Sequence, residues 1–287
     1  MFHLVLVNLF RNPLRSALTM GSVTLALFLF CALSGVLDTL QESIKVGSET
    51  RLVTRNKVSL IFPMPKSYMQ RLQAVDGVQR VSISNWFGGT DPANPRDFFA
   101  QFAVDENYIP IYSSDVDIIE WSQLPAGVPA PAGVDPKLAV FETEQTACVV
   151  GIKLMEKRGW KLGQQVTVRG TIYPGDWTFT IRGVYKAKKK SFDESSLLFH
   201  YDYLEQKGMG GSGMVGIYVL QLSDPSRASA VATAIDGMFQ SAAPSTRTES
   251  EQAFQAGFVS MYGNLPFVLR LRSEERRVGK ECLRLCR

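Results

Sequence analysis

The chain has 287 residues, 45% of them hydrophobic and 20% charged, ordinary proportions for a folded protein with room for one large or two modest domains. Its net charge of +4 resides in residues 270–287, which hold seven Arg/Lys against three Glu, so the remainder is formally neutral and gives no support to a nucleic-acid-binding surface. Four cysteines and two histidines, His3 and His200, show neither a disulfide framework nor metal-ligand spacing.

Residues 1–15 mix apolar side chains with Asn8, Arg11, Asn12 and Arg15 and break at Asn12-Pro13, the pattern of a short segment lying in a membrane interface. Arg11 and Arg15 have no acidic neighbours and favour a cytoplasmic N-terminus. Ser16–Leu37 carries no charge over 22 residues, about 30 Å as a helix, which matches the hydrocarbon core of a bilayer. A transmembrane helix is therefore expected over 16–40. A cleaved signal peptide competes, since Ala32-Leu33-Ser34 precedes Gly35, but the apolar run exceeds the usual length of such segments.

From residue 41 the pattern is that of an α+β domain reaching to 255. Val58–Phe62 reads as a strand, Pro65 as the opening of a helix ending before Gly77, and Val81 and Ile83 as the core face of a strand with Ser82 and Ser84 outside. Phe98–Val104 follows as a strand. Residues 105–136 lack periodicity, and PAGVPAPAGVDP within 124–136 is the best subdomain seam. A short helix closed by Gly159, strands at Gln165–Arg169 and Trp177–Tyr185, and a strand at Leu197–Tyr201 come next. Trp177, Phe179 and Ile181 share one face, Thr178, Thr180 and Arg182 the other. After the glycine-rich loop 208–213, Val215–Leu222 reads as a strand. Asp224-Pro225 caps a helix with Val231, Ile235 and Phe239 inward, and Thr246–Thr248 is an edge strand.

Catalytic motifs are missing from this pattern. GMGGSG lacks the Lys-Ser/Thr of a phosphate-cradling loop, and Gly211-Ser212-Gly213 has the wrong spacing for a nucleophile elbow. Lys186, Lys188, Lys189 and Lys190 could touch anionic headgroups, with a solvated strand exit as the default. His200 has no histidine neighbour and reads as structural. Asp115, Asp117 and Glu120 cluster loosely, with no periodicity facing them into one pocket. The expectation is a protein without catalysis, cofactor or metal.

Several segments resemble the MacB/FtsX-like (macrolide-exporter) class of ABC transporter permeases. They are NLFRNPLRSALTMGSV at 8–23, DGVQRVS at 76–82, VVGIKLMEKRGWKLGQQVTVRGTIYPGDWTFTIRGVY at 149–185 and TESEQAFQAGFVSMYGNLP at 248–266. The resemblance implies one N-terminal transmembrane helix followed by a two-part mixed α/β extracytoplasmic domain: an α/β subdomain from 41–110 and 191–250, and a β-rich inserted subdomain over 111–190. It further implies a second membrane helix starting at 256–271. This chain departs from the family there, because 272–287, with its dense charge, cannot enter a bilayer and reads as an aberrant tail. A permease subunit of the bacterial plasma membrane is implied, its outer domain moved by a separate ABC ATPase. A second permease protomer, an adaptor protein and the lipid bilayer are its other implied partners. The alternatives are a single-span, membrane-anchored binding module and a membrane-tethered peptidase.

Overall fold

The structure, a computed structural model, describes residues 14, 18, 20–31, 50–95, 97–124, 128–189, 192–207 and 213–257. Arg11, Arg15, Lys190, the loop 208–212, most of the expected second membrane helix and the tail 272–287 lie outside those residues. The chain divides into two compact units, Met1–Val46 and Gly47–Arg287.

In the first unit residues 20–31 are helical and every side chain is exposed, Leu25, Leu27, Phe28 and Phe30 among them. A helix apolar all round has no wet face to offer. Among the described residues no helix is long and apolar enough to cross a membrane, and both ends of the expected span lie outside them.

The second unit is built on strands β1 (Arg51–Asn56), β2 (Met64–Pro65), β3 (Val78–Trp86), β4 (Gly89–Thr90), β5 (Ala100–Val104), β6 (Val116–Trp121) and β7 (Ala147–Gly151). It continues with β8 (Gln165–Gly170), β9 (Gly175–Ala187), β10 (Ser196–His200), β11 (Met214–Val215), β12 (Ile217–Leu222) and β13 (Thr246–Ser250). The helices are α1 (Tyr68–Gln73), α2 (Tyr108–Ile111), α3 (Ala139–Thr143), α4 (Ile152–Arg158), α5 (Tyr201–Lys207) and α6 (Ala228–Met238). Eleven strands form one mixed sheet in the order β13-β1-β12-β3-β5-β10-β7-β9-β8-β4, with β6 also paired to β9. Strands from 111–190 and from the flanking segments share that sheet.

β4 follows β3 after only Phe87 and Gly88, so the two are halves of one bent strand and the path from β3 round to β4 closes on itself. Gly88 turns the bend with φ +64°, and Gly89 pairs with Gly170 across the closing step. A Cβ on Gly89 would meet Phe87 Cε1 at 2.7 Å, and one on Gly170 would collide with the Tyr173 carbonyl. Phe87 is fully buried inside the ring, edge-on to Trp177 and Phe199 at centroid distances of 5.2 and 5.3 Å. Such pairs add modestly to the area that each ring buries.

Several expectations need correction. Val58, Ile61 and Phe62 lie in an exposed turn, and the strand is the preceding Arg51–Asn56. Its polar residues find partners across the sheet, such as Thr54 Oγ1 with Thr248 Oγ1 at 2.9 Å, so apolar content misplaced the element. Pro65 sits in the β2–β11 ribbon, and α1 begins later. Residues 105–136 are partly ordered as α2 and β6. Ser82, Ser84 and Thr180 are buried, because a second apolar layer of α2, α3 and β6 residues, including Ile109, Ile118 and Phe141, covers the face that alternation left to solvent. Other expectations hold. Gly77 and Gly159 have φ of +93° and +64°, Asp224 caps its turn through Ser226 N at 2.9 Å, and β13 is the edge strand.

Candidate functional site

The densest buried polar constellation lies where the chain enters and leaves the sheet. β1 opens at Arg51 and β13 ends at Ser250, and the antiparallel register sets Leu52 opposite Ser250. Alternation then places Arg51, Val53 and Arg55 on one face with Glu249. Ser250 ends the strand and accepts from Ala253 N at 3.2 Å, capping the helical stretch 251–257 and setting Glu251 in its first turn.

Arg51 Nε donates to Glu251 Oε2 at 2.7 Å, and its Nη2 pairs with Asp115. The side chains of Arg51, Asp115 and Glu251 are 3%, 2% and 5% exposed, so this ion triad is dry. Tyr112 hydroxyl donates to Glu251 Oε1 at 2.8 Å, and the guanidinium stands 4.4 Å from the Tyr112 ring centroid. Lys189 Nζ approaches Asp115 Oδ1 at 2.6 Å from the solvent side. Outward along the same face Arg55 Nε donates to Glu249 Oε1 at 2.9 Å and Arg247 meets Glu249 at 3.1 Å.

Burial alone would lift the Asp115 carboxyl, yet Lys189 and Arg51 together hold it below the usual carboxylate range. Burial, then the neighbouring Tyr108 and Glu251, raises the Tyr112 phenol far above its ordinary value, so the hydroxyl stays protonated and donates to Glu251. For Arg51, burial is outweighed by Glu251, which raises its pKa. The cluster is a clasp of fixed charges.

The other residues singled out from sequence disperse. Asp117 is exposed and pairs with Lys137 at 3.1 Å, and Glu120 is exposed on β6, so the three acids share no pocket. His200 is half-buried, bonded through Nε2 to the Phe141 carbonyl and stacked on Phe141 at 4.1 Å. Burial lowers its pKa, which fits a structural role. Cys148 lies fully buried in β7, where desolvation drives its thiol up and keeps it inert. Among the described residues no group of three or more His, Cys, Asp or Glu could hold a metal ion. A second acidic group was missed: Asp105, Glu106 and Glu142 act on one another, and Glu106 also acts on His200. Desolvation, reinforced by its acidic neighbours, pushes Glu142 up to about 7, and desolvation pushes Asp105 to about 6.

A family model described as the MacB-like periplasmic core domain matches residues 16–238. The chain belongs to that family. No curated protein matches it. Among solved structures, the periplasmic region of MacB from Actinobacillus actinomycetemcomitans is similar with a TM-score of 0.51 at 11% identity, over 75% of this chain and 95% of that one. The extracellular domain of the ABC-type transporter YknZ from Gram-positive bacteria gives 0.48 at 14% identity, over 70% of this chain and all of that one. The first likeness supports a MacB-like fold for the sheet and its helices. Arg51 and Glu251 escaped the sequence reading because 200 positions separate them, and only the β1–β13 register brings them together.

Proposed function

We propose that this chain is part of a permease subunit of an ABC transporter, in which a separate ATPase moves the outer domain for export or for extraction of a substrate from the membrane. The observation that carries the reading is the family match from 16 to 238, which spans both the apolar run and the MacB-like domain. On this reading residues 16–40 cross the plasma membrane, Arg11 and Arg15 stay in the cytoplasm, and the domain stands outside. A second permease protomer and an adaptor protein complete the machine. The chain itself neither binds nor hydrolyses nucleotide.

The arrangement suits mechanical transmission. Whatever displaces the start of β1 or the end of β13 acts on the Arg51 clasp, and a dry ion triad transmits strain where a wet one would yield. The test places a photo-crosslinker at Arg15 and a cysteine at Val58, which is 79% exposed, in the full chain in its own membrane. Capture of an ABC ATPase from the cytoplasmic side and labelling of position 58 by an impermeant maleimide on intact cells are expected. Labelling only after lysis would overturn the orientation, and ATP hydrolysis by the purified chain would overturn the division of labour.

A further inference from the structure

The lysine run at the end of β9 acquires a meaning from where it lies. Lys186, Lys188 and Lys189 are exposed. Lys188 N donates to the Asp115 carbonyl at 2.8 Å, its Nζ donates to the Ser113 carbonyl at 2.8 Å, and Lys189 Nζ reaches Asp115 Oδ1 at 2.6 Å. Asp115 also holds Arg51, which opens β1, and Arg51 holds Glu251, which opens the outgoing helical stretch. Lys189 therefore stands two side-chain contacts from the start of β1 and three from the start of the outgoing stretch. The nearby carboxylates pair most closely with other cations, Asp117 with Lys137 at 3.1 Å and Glu194 with Lys153 at 3.0 Å, while still drawing on Lys188 and Lys186 at longer range.

The residues 251–257 rise about 10 Å before the apolar run that begins at Phe258. The headgroup layer of one leaflet is about 6 Å deep, and lysine stems extend their ammonium groups well beyond their Cα atoms. We propose that Lys186, Lys188 and Lys189 form a contact surface for the phosphate groups of anionic lipids, so that the domain's lower rim reads the charge of the outer leaflet. This rests on the reading that the apolar segments at 16–40 and 256–271 enter the bilayer. Attraction near a charged surface strengthens binding by about fivefold per lysine and fades with salt.

The test uses the full chain in nanodiscs of phosphatidylcholine alone or with about a third phosphatidylglycerol, footprinting lysines with an amine-reactive reagent. Lys161 is the internal control. It is exposed in the loop where Gly163 N donates to the Ile181 carbonyl, six residues up β9 from Ala187 and about 20 Å away along the strand. Labelling of Lys186 and Lys188 is expected to slow at least fivefold in the anionic discs, to recover at high salt, and to leave Lys161 unchanged. Equal rates in both discs, or equal slowing at Lys161, would overturn the proposal. Equal protection by soluble inorganic phosphate would overturn the lipid as its source. A chain that fails to enter either disc would instead remove the membrane-anchor reading on which it rests.

Discussion

Arg51 carries one charge between two buried carboxylates, and the balance of the clasp depends on it. Removing it leaves Asp115 and Glu251 desolvated, with only the half-exposed Lys189 in compensation. Arg51→Ala is expected to destabilise the domain by about 3–5 kcal/mol in urea denaturation, whereas Tyr112→Phe, which loses one hydrogen bond to Glu251, should cost about 1 kcal/mol. A loss below about 1 kcal/mol for Arg51→Ala would mean that the triad contributes little. The acidic group near His200 makes the opposite kind of prediction. Glu142 is raised to about 7 by burial and by Glu106 and Asp105, so the folded state keeps a proton that the unfolded chain releases above its ordinary value of 4.5. Its contribution therefore grows on acidification from about pH 8 towards pH 5 and is lost as pH rises. His200, with its pKa lowered, works against it below pH 6.5, as does Asp115 nearer pH 4. Glu142→Gln removes only the first component. At pH 8 that variant should be more stable than the parent by about 1 kcal/mol, with the gap closing by pH 5 in thermal melts. A gap independent of pH would refute the assignment.

At the scale of the element, the bent strand β3–β4 is where the fold tolerates least. Gly170→Ala would push a methyl into the Tyr173 carbonyl and reopen the ring, and Phe87→Ala would leave a hole edged by Trp177 and Phe199. Each is expected to cost about 3–5 kcal/mol, read as a lowered denaturant midpoint with unchanged slope. Much of this architecture was legible in the chain itself. The inward face of β9 was plain from Trp177, Phe179 and Ile181, and the end of α4 from Gly159, whereas α1 stops at Gln73, short of the left-handed Gly77 that leads into β3. Long-range pairing was not. The residues RLVTRN form β1 only because β12 and β13 bond both of its edges, and that information lies more than 160 positions away. The same limit hid the clasp. Asp115 was visible as an acid, but its partner was fixed by topology. Val58, Ile61 and Phe62 misled because their apolar content suggests a strand while the sheet has no place for them.

At the scale of the molecule, the MacB-like domain is held by charge at the Arg51 clasp and by the closed path of strands from β3 to β4, and close packing of that kind resists deformation. Alone, the purified chain is expected to show no ATP turnover above background. A rate that survives removal of every contaminating ATPase would contradict a purely mechanical part. Stiffness also has a history within each molecule. β1 pairs with β12 in a register that joins Arg51 to Gln221, so the first strand leaves the ribosome about 170 residues ahead of its neighbour. At ordinary synthesis speeds that is about 10–30 s, during which a strand with two arginines has neither of its sheet neighbours. Charges on an unpaired edge disfavour pairing with another chain, so Arg51 and Arg55, which anchor the folded domain through Glu251 and Glu249, are expected to guard the same strand before its neighbours arrive.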